Sequence, residues 1–291
     1  MKVNSVSVSR FLQTYFGRFW LAAVYLFLYI PLFFLIVFSF NSTRQDGVFT
    51  GFSLRWYEAL LKDPRLVGGF FLSLKVALIT GTLSTLLGTF AAFVLVRYPR
   101  FRGRSMFSGL VSAPLVMPEV IIGLSLLLLM VAVQHAIGWP ERGAVTIVIG
   151  HTLIGMAYAT VVISARLREM DRRVEEAAMD LGCRPAQVFL LVTLPNILPS
   201  LVAAWMLTFT LSFDDVVVSE FLSGPGVTTL PQVIFGYARR GVNPSIYAAA
   251  TILILTVSTG IIAYSITTLR RQARREREAK AAERAELASR G

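Results

Sequence analysis

An all-α, polytopic membrane fold with six transmembrane helices is predicted by three observations: an apolar excess, six apolar stretches of spanning length, and a lopsided placement of the basic residues. Hydrophobic residues make up 55% of the 291 and charged residues 15%, more apolar content than a soluble domain of this size needs for a core. The stretches run from 19 to 40, 70 to 96, 106 to 133, 145 to 165, 197 to 222 and 246 to 269. Each can cross a hydrocarbon layer of roughly 30 Å, which takes about 20 helical residues. Lipid offers backbone groups no partners, so such segments must be helices, and they are too long and too uniformly apolar for barrel strands. The chain thus divides into an N-terminal segment 1–18, a six-helix domain 19–269 and a basic tail 270–291.

A formal charge of +11 would by itself suit a nucleic-acid partner. Placement argues otherwise. With the N-terminus inside, 20 of the 28 basic residues fall in the inner segments 1–18, 97–104, 166–184 and 270–290, the asymmetry that sets membrane orientation. Both termini are expected in the cytoplasm, and no nucleic acid is called for. The tail alternates arginines with Glu276, Glu278, Glu283 and Glu286, a pattern suited to anionic headgroups of the membrane lipid.

The first span follows basic residues as a signal peptide would, but it exceeds the length of a signal h-region and is read as a retained anchor. The outer loop 41–67 holds a short helix over Leu54 to Leu61 after Ser53, with Trp56 and Tyr57 at headgroup level. On the second span, Gly81, Thr85, Gly88 and Thr89 suit close helix packing. The third span is expected to be interrupted at Pro114, with Glu119 following Pro118. Between the last two spans, Ser223-Gly224-Pro225-Gly226 and Leu230-Pro231 force a defined turn. A single cysteine, Cys183, excludes an internal disulfide, and His135 and His151 stand alone, packed or interfacial and not metal ligands. None of Lys2, Lys62, Lys75 and Lys280 completes a GxxxxGK[ST] phosphate loop. Any ATP consumed is therefore hydrolysed by another chain.

The connection between the fourth and fifth spans is about thirty residues long and patterned for helix. Val174, Ala177, Ala178 and Leu181 recur at i, i+3, i+4 and i+7, opposite a charged side. Gly182 supplies the left-handed residue that ends such a helix, and Pro185 suits the first position of a second one. Amphipathicity alone leaves two readings open, a helix lying on lipid and a helix docking on a partner.

Glu176-Ala177-Ala178, three residues, Gly182, nine residues, then Val192-Thr193-Leu194-Pro195 resembles the EAA loop of ABC-importer permeases, E-A-A, x3, G, x9, I-x-L-P. Val192 for isoleucine is the one departure. The resemblance extends along nearly the whole chain and narrows to the putrescine and spermidine permeases. It is carried by Phe52-Ser53-Leu54-Arg55-Trp56-Tyr57, Ala113-Pro114-Leu115-Val116-Met117-Pro118-Glu119, Ser212-Phe213-Asp214-Asp215 and Ser223-Gly224-Pro225-Gly226. It implies that Glu176, Ala177, Ala178, Leu181, Gly182 and Pro185 form a coupling helix in a groove of a cytoplasmic ATPase. It also implies a complex in the bacterial inner membrane: this chain, a homologous second permease, an ATPase dimer that binds the ATP and Mg, and a periplasmic polyamine-binding protein. The chain itself is expected to be a transporter subunit without a cofactor, not an enzyme.

Acids within the spans bear on the substrate. An aspartate at the bilayer centre costs roughly 2.5–3.5 kcal/mol on insertion scales and is expected to face protein or water. Glu119, Asp214, Asp215 and Ser212 are expected to line a path for a diammonium substrate, which needs negative charge and acceptors on its way. Thr208, Ser212, Asp215 and Ser219 fall on one stripe of a continuous helix, and Asp214 points about 100° away. The other readings are that the acids cap a helix, pair with Lys75 or hold the second permease. A permease for another small cationic or organic solute is the alternative within the class. A self-sufficient secondary transporter is the alternative outside it, though the inverted repeats usual there are not visible.

Overall fold

The computed structural model describes residues 4–43, 48–240 and 244–270, apart from 257, 261, 263, 264, 268 and 269. The expected basic tail, beyond Arg270, lies outside the described residues. Among the described residues the regular elements are helices: α1 (Asn4–Phe38), α2 (Arg55–Lys62), α3 (Pro64–Arg97), α4 (Arg104–Val116), α5 (Glu119–Ile137), α6 (Ala144–Glu169), α7 (Arg172–Asp180), α8 (Pro185–Val188), α9 (Leu194–Asp214), α10 (Val217–Leu222), α11 (Leu230–Arg239) and α12 (Pro244–Thr267). A π-helical segment, Phe189–Thr193, joins α8 to α9 without a break. Among the described residues six helices are long and apolar enough to cross a membrane: the Phe16–Phe38 part of α1, α3, α5, α6, the run Pro185–Asp214, and α12.

Two of the expected spans end early, each for a local reason. The third is two helices, because Pro118 excludes the helical conformation at Met117 (φ −78, ψ 139) and so separates α4 from α5. Pro114, the expected interruption, lies inside α4. The fifth stops at Asp214, since Asp215 (ψ 131) is extended and α10 begins afresh beyond it.

The chain forms two units, residues 63–240 and a second made of 1–62 with 241–291. In the second unit the short helix α2 starts one residue later than expected. Ser53 Oγ accepts from the Arg55 amide at 3.3 Å, and Trp56 Nε1 donates to the Asn41 carbonyl at 2.7 Å. Tyr57 and Ser39 share a hydroxyl hydrogen bond of 2.7 Å.

Residues 63–240 are organised around α3, α6 and α9. With lipid outside, apolar burial between helices gains little, so the close approach of small residues carries the packing. Gly88 lies against Ala159, where an added Cβ would stand 2.6 Å from the alanine's own. Gly81 faces the Trp205 ring, and Ser84 Oγ donates to the Thr152 carbonyl at 3.4 Å. One apolar cluster gathers Ala92, Ala159, Ile163, Leu167, Ile197 and Ala204, and another Val76, Ile122, Leu126, Ile147, Val218 and Leu222. Helix α3, 34 residues long, spans about 50 Å. Its first turns hold α11, where the Leu230 amide donates to Ser73 Oγ at 2.9 Å, and its last residue holds α7. Those two attachments therefore lie at opposite ends of the unit.

Candidate functional site

The segment 171–195 folds as an elbow. Asp171 caps α7 by accepting from the Arg173 amide at 3.0 Å. At the other end Gly182 is left-handed, φ +87. Its amide donates to the Met179 carbonyl at 2.9 Å and that of Cys183 to the Ala178 carbonyl at 3.1 Å. This double bond pattern closes a helix on a left-handed residue and satisfies two terminal carbonyls. Pro185 opens α8, whose Gln187 Oε1 accepts from the Arg184 amide at 2.8 Å.

The apolar side of α7 is turned away from its own helices. Leu181 is 87% exposed and Val174 48%, and Glu176, Ala177, Gly182 and Pro185 are exposed beside them, with Ala178 half-buried. Val174, Ala177 and Leu181 thus share an exposed face, while Glu176 and Pro185 border a hollow that also reaches Arg97 and Glu175.

Glu175 does the opposite, and sequence reasoning passed it over. It is 9% exposed, with Arg97 Nε and Nη2 donating to its Oε1 at 3.2 and 2.9 Å and Thr193 Oγ1 at 2.7 Å. Adjacent residues on a helix point about 100° apart, so the Glu-Glu pair at 175 and 176 had to split between two environments. That was the available signal.

A second polar cluster lies inside the unit. His151, expected to be isolated, has Nδ1 2.7 Å from Ser212 Oγ and Nε2 3.0 Å from Asp215 Oδ2 and 3.2 Å from Ser219 Oγ. Asp215 also accepts from the amides of Val218 at 3.3 Å and Ser219 at 2.7 Å, capping α10 with its own side chain. Both ring nitrogens therefore have polar partners, Ser212 at Nδ1 and Asp215 with Ser219 at Nε2. The expected stripe therefore survives the break after Asp214, with a different orientation: Ser212, Asp215 and Ser219 face α6, not open space. Side-chain hydrogen bonds between spans replace partners that lipid cannot supply.

Asp214 and Glu119 are exposed. Glu119 is the first residue of α5, where a carboxylate is favoured by the free amides of the helix start. Lys75 is exposed and takes part in none of the ion pairs among the described residues. Among those residues no group of three or more His, Cys, Asp or Glu side chains could hold a metal ion.

At the far end of α3 a cavity of about 690 Å³ is lined by Arg65, Gly69, Gln232, Tyr237 and Arg240 among others. Beside it Tyr237 donates to Asp63 Oδ2 at 2.7 Å. Burial alone would raise the Asp63 pKa, but the Tyr237 hydroxyl, the Arg65 and Leu66 amides and the Arg65 charge hold it below the usual carboxylate range.

Comparison with known proteins agrees with this architecture. Residues 84–273 match the family described as binding-protein-dependent transport system inner membrane component. The chain is 50% identical over 252 residues to the putrescine transport system permease protein PotI of Escherichia coli (strain K12), covering 86% of this chain and 89% of that one. It is 36% identical over 244 residues to the spermidine/putrescine transport system permease protein PotC of the same strain, covering 84% and 90%. In structure it is similar to a chain of a bacterial ABC transporter involved in the import of the acidic polysaccharide alginate. That likeness has a TM-score of 0.70 at 14% identity and covers 90% of this chain and 96% of the other.

Proposed function

The chain belongs to the binding-protein-dependent transport system inner membrane components, and from that premise we propose how it divides the work of importing a polyamine between its exposed elbow and its intramembrane acids. It is a multi-pass inner-membrane permease subunit of a polyamine ABC importer, a transporter subunit and not an enzyme. Putrescine is the substrate we assign, on half-identity to a putrescine permease across most of both chains.

The observation that carries the mechanism is the elbow's exposed apolar corner of Val174, Ala177 and Leu181. An apolar helix face turned from its own bundle suits a groove in a separate protein, and Glu176 is free to pair with a basic residue there. The occupant we assign is the cytoplasmic ATPase dimer, which binds ATP and Mg. The elbow and both termini then lie in the cytoplasm, in keeping with the arginine-rich segments around it. A homologous second permease completes the path, and a periplasmic polyamine-binding protein delivers the substrate at the far end of α3. Glu119 and Asp214, exposed carboxylates within the spans, offer a diammonium ion compensating charge as it crosses. Ser212 and Asp215 hold His151 behind that path.

The test is co-purification of the ATPase with wild-type chain and with Leu181→Asp and Glu176→Lys variants, paired with radiolabelled putrescine uptake. A charge on the apolar corner is expected to release the ATPase and abolish uptake while the chain stays inserted. Undiminished capture and uptake by both variants would rule out the elbow as the docking element.

A further inference from the structure

A buried ion pair is a poor way to stabilise a fold, since apolar residues of similar volume usually serve as well or better. Arg97 and Glu175 form such a pair, with side chains 8% and 12% exposed. What the pair does supply is connection. Arg97 is the last residue of α3, and besides Glu175 on α7 its Nη1 donates to the Leu167 carbonyl of α6 at 3.2 Å. The same Glu175 oxygen takes the hydroxyl of Thr193, the last residue of the π-helical segment leading into α9. Alongside, Arg172 Nη2 donates to the Val96 carbonyl at 2.9 Å, and Phe93 meets Phe189 edge-on at 5.1 Å. One carboxylate thus ties the elbow directly to the end of α3 and the entry to α9, and through Arg97 to the last turn of α6.

We propose that Glu175, held by Arg97 and Thr193, is the joint through which movement of the elbow is passed to α3, α6 and α9, making it a positioning residue for coupled transport. This rests on the reading of the elbow as the ATPase contact. Without the joint α7 keeps only the Arg172 contact at its first residue and its flanking loops, and a push on its outer face would be absorbed by their bending. With it, displacement of α7 moves the end of α3, a rigid rod about 50 Å long that reaches the opposite face. A hollow of about 230 Å³ beside the pair, lined by Phe93, Tyr98, Met179 and Phe189 among others, gives the joint room to tilt. Of the two adjacent glutamates only Glu175 is buried in the joint, while Glu176 is exposed and borders the same hollow.

The assembled importer in liposomes tests this by the ratio of putrescine taken up to ATP hydrolysed. Glu175→Ala is expected to leave the ATPase bound and hydrolysing while the ratio falls about tenfold, the scale of one hydrogen bond to a charged group. The near-isosteric Glu175→Gln and Thr193→Val are expected to lose about threefold each and cover the case in which the alanine variant does not assemble. The exchanged pair Arg97→Glu with Glu175→Arg should recover part of the ratio. Glu169→Gln, which breaks the exposed Arg166–Glu169 pair, should not change it. A wild-type ratio in Glu175→Gln and Thr193→Val, or reduced assembly in both at an unchanged ratio, would overturn the joint. Failure of the wild-type chain to hold the ATPase would instead overturn the docking assignment beneath it.

Discussion

Replacing Gly182 tests the elbow at its least forgiving backbone position. The residue sits at φ +87, and no atom lies within 4 Å of where a Cβ would stand. A substitution therefore meets no steric obstacle from neighbours, and the whole cost is that of a left-handed L-residue, about 1–2 kcal/mol for alanine. Valine, branched at Cβ, costs more, and asparagine, which tolerates this conformation, costs less. If the turn must hold while the ATPase pulls on α7, each kcal/mol removed from it lowers the transmitted fraction by up to about fivefold. The expected order of putrescine uptake is Gly, Asn, Ala, Val, with valine at least tenfold below glycine by the same conversion. Uptake and substrate-stimulated ATP hydrolysis would be measured on complexes matched for subunit content. Wild-type uptake by Gly182→Val would refute the reasoning. Equal losses for asparagine and valine would show that space at the interface, and not backbone handedness, fixes the residue.

Asp214 and Asp215 should separate cleanly: Asp215→Ala leaves two amides without their acceptor and an imidazole without its partner and is expected to destabilise by about 3 kcal/mol, read as a lower Tm in detergent. Asp214→Ala should keep the Tm and lose putrescine uptake, and the same Tm loss in both would argue against the division. Gly88→Val is expected to force α3 from α6, since its Cβ would stand 2.6 Å from that of Ala159, at about 2–3 kcal/mol of overpacking. Retained yield and thermal stability would contradict that packing. Asp63 has a lowered pKa in the folded chain, so its contribution is present above the usual carboxylate range and lost as pH falls through the lowered value. Asp63→Asn should then be less stable than wild type at neutral pH and converge with it in acid, and a gap independent of pH would sink this account.

The positions of the spans were legible in the sequence because lipid imposes one rule, length times apolarity, that needs no knowledge of neighbours. The elbow was legible for a different reason: Asp171, Gly182 and Pro185 act on backbone within a turn or two of themselves. Span ends were less so, because Met117 and Asp215 are extended through local effects that a hydropathy window averages away. His151 escaped notice because its partners lie 61 to 68 residues away in the chain. Ser212 and Asp215 did show the right periodicity, but periodicity gives a face and not what the face meets. Only the structure shows that the face meets α6. Arg97 and Glu175, 78 residues apart, were hidden in the same way, each looking like one more surface charge near a span end.

A π-helical turn accommodates one residue more than an α-helical turn, so the Phe189–Thr193 segment amounts to an insertion stored within a continuous rod. The bulge could give that residue up with its flanks nearly in place, whereas the regular helix beyond it has none to spare, and a deletion there takes out a full α step. Everything on the α7 side would then rotate by about 100° and shift by about 1.5 Å relative to the rest of α9. Such a change would swing the carboxylate at 175 off Arg97 without altering either side chain. Chain length along α9 is accordingly as binding a constraint as chemical identity, and natural variants that keep every charged group could still be mute through a miscount of one.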